Sequence, residues 1–289
     1  MRTCQLLVGL GVGFSSIGLW GAVPARAEEP AVPAPAKPDE APAAPAKSAE
    51  PAKSAAPVKP APPAKPEAKP KCKSGMVGIP TGTFMMGDEG HKAFSKVGEV
   101  TVEAFCMDRT EVTAAAYAKC VKAGKCTTTG EFGNENDPKR GNHPISTVNW
   151  HQATAYCAAQ GLRLPAEEEW EYAARGTDGR KFPWGSEGSH GDLCFMRNRH
   201  WTEGGDLGTC AVSSHPKGNS PFGLADMAGN VAEWTTSQWS SADADRVTRG
   251  GGWGNVMDIE QVMSAIRSKE PPEQTSREIG FRCAGSFLP

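Results

Sequence analysis

Residues 176–256 are dominated by Gly, Pro, Asn, Ser and Trp, and the apolar periodicity that marks helices and strands dissolves there. A stretch of that length with few regular elements needs help to stay ordered. Disulfides, bound ions and buried tryptophans are the available means, so the fold must supply some of them.

The cysteines fit that demand. Cys72, Cys106, Cys120, Cys126, Cys157, Cys194, Cys210 and Cys283 make an even set, and Cys4 stands apart from them. Residues 1–27 read as an export signal: Arg2, an apolar run over 6–20, then Ala25-Arg26-Ala27 as a small-x-small cleavage site. An uncleaved anchor is the alternative, although the run is shorter than the about 20 residues a membrane span needs. An even cysteine count behind a signal points to disulfides in an oxidising compartment. No CxxC occurs, which argues against a zinc ribbon or a thioredoxin-like pair.

Residues 28–71 are almost only Ala, Pro, Lys and Glu. So little apolar bulk cannot offset the entropy of ordering, and a semi-stiff disordered linker is expected. Residues 72–289 then suffice for one domain with a sizeable core. The formal charge of −2 argues against a nucleic-acid partner.

Within that domain, 76–87 alternates around Pro80 and Gly82 and reads as a short hairpin, and 100–108 reads as one strand. Three helices are expected. The first spans 111–124, with Thr113 as N-cap and Gly124 as its stop. The second spans 149–161, with Trp150, Ala153, Thr154 and Cys157 on one stripe. The third spans 164–176, with Pro165 in its first turn and Glu167, Glu168 and Glu169 favoured by the helix dipole. The architecture is α+β with little regular structure.

Several chemistries lack their signatures. The triplet Gly250-Gly251-Gly252 precedes no Lys-Ser/Thr pair and no helix, so it is not a phosphate loop. The six histidines show neither HxxxH nor HExxH spacing, and GxSxG is absent. The run Glu167–Glu169 holds carboxylates, but a charged helix start is the commoner reason for such a run than glycoside cleavage. In FGLADMAGNVAEW (222–234), Asp226, Asn230 and Glu233 stand among turn formers. Closely spaced hard oxygen ligands suit calcium, and an Asx-capped turn explains the same residues equally well.

Taken in order, GMVGIPTGTFMMG, DRTEVTAAAYAKC, HPISTVNWHQATAYCAAQGLRLPAEEEWEYAARG, FPWG, NSPFGLADMAGNVAEW, RGGGW and IGFRCAG resemble the formylglycine-generating enzymes, or sulfatase-modifying factors, over nearly all of 75–285. The resemblance implies a C-type-lectin-like fold in a single domain. It implies calcium bound by the Asp226 and Glu233 side chains and the backbone oxygens of Gly229 and Val231, with Asp206 as a candidate in a second site. It also implies a Cys157–Cys283 disulfide; by proximity Cys120–Cys126 and Cys194–Cys210 follow, and Cys72–Cys106 is left over.

The oxidases of this family hold copper on two cysteines after the motif that is RGGGW here. Those positions fall near Asn255 and near Ile259 or Glu260, and no cysteine lies between Cys210 and Cys283. Thiolates suit Cu(I), so copper is not expected. A sulfoxide synthase of similar fold carries an additional iron-binding domain for which this chain has no room. The expectation is a pseudoenzyme: an exported periplasmic, cell-surface or secreted module that binds a protein or glycan ligand in a groove holding Trp253, Asn255 and Arg267. It has no membrane span once the signal is removed. The rival expectation is an oxidase acting on protein cysteine with other ligands.

Overall fold

The expected hairpin over 76–87 does not form. In the computed structural model, β1 (Met76–Ile79) and β2 (Gly82–Met86) run to different partners. β1 pairs antiparallel with β4 (Phe105–Asp108), and β2 with β3 (Gly98–Val102). The expected single strand over 100–108 is thus two strands. Pro80 has no N–H to give a ladder, and next to it the Thr81 hydroxyl accepts the N–H of Ala104 from the facing chain at 3.0 Å. Both chains therefore bend at facing points. The bend leaves Ile79, Phe84, Met86, Val102, Phe105 and Met107 buried in one cluster with Trp170 and Tyr172.

The structure describes residues 71–91, 96–130, 134–187, 192–195, 208–254 and 259–289. The expected signal, the expected linker up to residue 70, Asp206 and Asn255 lie outside the described residues, and Lys71, the linker's last expected residue, is instead bridged to Leu288.

The helices form where their caps are. α1 (Ala114–Lys122) starts at Thr113, whose hydroxyl accepts the Ala116 N–H at 3.2 Å. α2 (Trp150–Ala159) starts with a reciprocal box between Asn149 and Gln152. α3 (Glu167–Arg175) is shorter than expected. Pro165 precedes it rather than lying in its first turn, and the Glu169 carboxylate accepts the Ala166 N–H at 2.8 Å. Among the described residues no helix is long and apolar enough to cross a membrane.

The loop-rich half forms a four-stranded sheet in the order β7-β6-β5-β8. Its strands are β5 (Ala232–Gln238), β6 (Arg246–Arg249), β7 (Arg267–Glu270) and β8 (Ile279–Gly280). A last strand, β9 (Ala284–Gly285), returns to pair with β4. Four disulfides, Cys72–Cys106, Cys120–Cys126, Cys157–Cys283 and Cys194–Cys210, join the pairs named above. Cys157–Cys283 closes 126 residues and lies in the core with Tyr117, Tyr156, Trp234 and Phe281. The fold is mixed helix and sheet in one domain.

Candidate functional site

The glycine triplet after β6 is shaped by what stands against it. Gly250 and Gly251 have φ of 88° and 65°, which L side chains avoid. A Cβ on Gly252 would lie 2.7 Å from the Glu278 Cβ. The loop is stitched to the 229–234 segment by Gly229 N–H to Gly250 O at 3.0 Å and Trp253 N–H to Asn230 O at 2.8 Å. The glycines thus admit Glu278 and a second backbone, not a phosphate.

Beside this loop lies a cavity of about 460 Å³. Its floor is one face of the four-stranded sheet. Thr248 is paired with Ser268, Ala232 with Ile279, and Glu270 lies two residues beyond Ser268. Gly250, Gly251 and Gly252 form one wall, and Glu260, Gln261, Arg267 and Glu278 complete it. Burial pushes the Glu278 carboxyl up, against a bond from the Gly254 N–H. Burial, then Asp245, pushes Glu270 up. Glu260 reaches His91 at 3.2 Å, and bonds to Asp88 and Glu260 hold the His91 imidazole above its ordinary value.

The expected groove residues divide. Arg267 lines the cavity. Its guanidinium is bound to Glu167 at 2.9 Å and lies over the Trp239 ring at 4.2 Å, so its charge is compensated. Trp253 is half-buried, does not line the cavity, and donates its indole N–H to Arg277 O at 3.0 Å. Glu260, near the second family cysteine position, is in the wall.

A row of charges runs across the sheet that sequence reasoning missed, and Arg267, at its end, also borders the cavity. Glu233, Arg249 and Arg267 are register neighbours across β5, β6 and β7. Arg249, 1% exposed, bridges Glu167 at 3.1 Å and Glu171 at 2.9 Å, and Arg175 also reaches Glu171 at 2.9 Å. The three glutamates at the start of α3 therefore do different work. Glu167 is a buried ion-pair hub, Glu168 pairs with Lys96, and Glu169 caps the helix. The sequence signal was Glu171 at i+4 from Glu167, on the face of the Trp170 stripe.

The two expected calcium side chains have different surroundings. The Glu233 carboxylate is 0% exposed and takes Arg282 Nη2 at 2.7 Å on one oxygen. The other takes Arg282 Nε at 2.7 Å and Trp170 Nε1 at 2.8 Å. A cation there competes with a fully buried guanidinium. Asp226 is different. It sits at φ 56°, and one carboxylate oxygen accepts the Ser213 N–H at 2.6 Å. Gly229, at φ 74°, and buried Val231 follow in the same loop. Among the described residues no three His, Cys, Asp or Glu side chains are placed to hold a metal by themselves.

Residues 62–287 match the model of the sulfatase-modifying factor enzyme 1-like domain. The chain is 33% identical over 270 residues to the inactive C-alpha-formylglycine-generating enzyme 2 of Bos taurus, covering 72% of this chain and 87% of that protein. It is 32% identical over 291 residues to the formylglycine-generating enzyme of Streptomyces coelicolor, covering 75% and 91%. Among solved structures, PvdO from Pseudomonas aeruginosa superposes with a TM-score of 0.61 at 24% identity, covering 73% of this chain and 94% of that one.

Proposed function

The chain belongs to the sulfatase-modifying factor family, and from that premise we propose that it is an exported binding module of the cell envelope, without the copper oxidase activity. One observation carries this reading. All eight cysteines from Cys72 to Cys283 are spent on disulfides, and none of them lines the cavity beside the RGGGW loop. The thiolates that Cu(I) prefers are therefore not supplied at that wall. The inactive bovine relative, at 33% identity, supports the same reading.

What the cavity offers instead is acidic. Glu260, Glu270 and Glu278 border it; Glu260 is paired with His91, and among the described lining residues the guanidinium of Arg267 is neutralised by Glu167. The occupant in this reading is a protein segment or glycan that presents a basic group. In this reading the Ala-, Pro-, Lys- and Glu-rich segment over 28–71 is a spacer, and the domain acts in the periplasm, at the cell surface or after secretion.

The test is to incubate the copper-loaded, purified protein with a CxPxR peptide of the sulfatase type under oxygen and to follow the peptide mass. No conversion is expected. Turnover at a catalytic rate would sink the reading. A lysine-bearing peptide should bind more tightly than its glutamate counterpart, and Glu270→Gln should narrow the difference without lowering Tm.

A further inference from the structure

An ion pair on the rim of the sheet cavity joins two distant parts of the chain. His91 ends the one-turn helix Glu89–His91 that follows β2, and Glu260 lies in another, Ile259–Val262. Both residues border the cavity. The His91 ring reaches Asp88 from Nδ1 at 3.1 Å and Glu260 from Nε2 at 3.2 Å. An ionised carboxylate only accepts hydrogen bonds, and a neutral imidazole has a single N–H to give. The ring can therefore donate to both carboxylates only as the imidazolium. Bonds to Asp88 and then to Glu260 accordingly hold its pKa above the ordinary value. Asp88 belongs to the same turn as His91, also accepts the Gly90 N–H at 2.8 Å, and has Lys181 near it. The bond to Glu260 is the one that crosses to another element.

We propose that Glu260 is the carboxylate that takes the basic group of the cavity's ligand, and that His91 is its built-in competitor, so that ligand binding displaces the His91 proton. This rests on the reading of the cavity as a site for a basic group and says which residues select it. The three bordering carboxylates are not equivalent. Glu270 and Glu278 are half-buried, and burial pushes both carboxyls up, with Asp245 adding to it at Glu270. Glu278 is further held against the glycine wall, where a Cβ on Gly254 would meet its carboxylate. The Glu260 side chain is 54% exposed, so an entering cation meets it at little desolvation cost. Arg267 lines the same cavity but is held by Glu167. As the imidazolium, His91 compensates Glu260 and sets a positive charge on the rim that repels a second cation. Once the ring loses its proton, that counter-charge is gone. A lysine ammonium stays charged up to about pH 10 and takes its place. Binding therefore strengthens as pH rises through the His91 pKa and levels off above it.

The test titrates the purified, disulfide-bonded protein with the lysine-bearing peptide by calorimetry from pH 6 to pH 8.5 at constant ionic strength. Wild-type affinity should rise by up to about tenfold across that range, with protons released on binding. His91→Gln keeps a polar side chain without a titrating ring, and its affinity should stay flat. Glu260→Gln, at an exposed position, should bind several-fold more weakly and lose the rise. Both variants keep Glu270 and Glu278, so a rise owed to those carboxyls would survive in them. The His91 ring proton resonance, assigned by its absence from the His91→Gln spectrum, gives a readout without ligand. Its midpoint should lie above 6.5 in the wild type and fall in Glu260→Gln. A His91→Gln protein that keeps the wild-type pH dependence overturns the proposal, and so does a Glu260→Gln protein that binds as the wild type does. Binding that is independent of pH in the wild type removes His91 and Glu260 from the site and leaves the basic-group reading standing. A peptide that binds at no pH sinks that reading and this inference with it.

Discussion

Glu167 and Glu171 are buried with three arginines around them, Arg175, Arg249 and Arg267. Glu111, Asp226 and Glu233 are buried, with the half-buried Asp108 beside them, around one, Arg282. Both clusters touch the same row of the four-stranded sheet, because Glu233 and Arg249 are register partners. The first is closed: Gly87 N–H, Arg175 and Arg249 together occupy the Glu171 carboxylate. The second is open by one carboxylate pair. A buried charge is tolerated when it is paired and hydrogen-bonded, and otherwise it changes protonation or recruits an ion. The first cluster holds α3 to the sheet without help, whereas the second makes the Asp226 loop depend on its solution conditions.

The largest effect separating the two belongs to Arg249. Arg249→Met removes the bridge between Glu167 and Glu171 and leaves both carboxylates buried and short of a partner. A loss of about 3–5 kcal/mol is expected from denaturant midpoints. Calcium should not restore it, since the closed cluster has no cation site. A rescue by calcium would break the distinction.

The next effect is the pH dependence that the open cluster contributes. Burial pushes the Asp108 carboxyl up to about 6, against the Cys283 N–H and Arg282, which pull it down. The folded state then holds a proton that the unfolded state has released. That contribution is fully present below the unfolded pKa near 4 and is lost as pH rises through about 6. For protein freed of calcium beforehand, stability should fall by up to roughly 3 kcal/mol across that window. Asp108→Asn should flatten the curve, and a wild-type profile that rises between pH 4 and 6 would contradict the sign.

The smallest effect lies on the rim. Lys96 is 53% exposed and pairs with Glu168 at 2.8 Å. Lys96→Ala should cost under about 1 kcal/mol, and less at high salt. A loss comparable to that of Arg249→Met would mean that the rim, not the buried bridge, holds α3.

These clusters also mark where the sequence was legible. The caps Thr113 and Asn149 lie next to the helices they start, so short-range pattern found them. Residues 76–87 read as a hairpin because alternation shows which faces are apolar, not which strand becomes the partner. Two bends at Pro80 and Ala104 decided that. The Glu167–Glu169 run fits a helix dipole as well as it fits a buried hub, and what distinguishes them is Arg249, a partner 82 residues away. Glu111 carried no local signal at all. Its neighbour Asp226 comes from the other half of the chain, and only the fold brings them together. The RGGGW wall and the Arg267 side of the cavity were legible through a family motif. Trp253, turned to Arg277 O instead of the cavity, was not, because a motif fixes a position and not a side-chain direction.

This domain has kept the family frame while committing each cysteine from Cys72 to Cys283 to a disulfide. Mass-spectrometric mapping after alkylation of the native, unreduced protein tests it directly. The expected result is no alkylation at any of the eight cysteines from Cys72 to Cys283 until a reductant is added. A cysteine pair that is alkylated in the native protein, and protected when Cu(I) is bound, would contradict it.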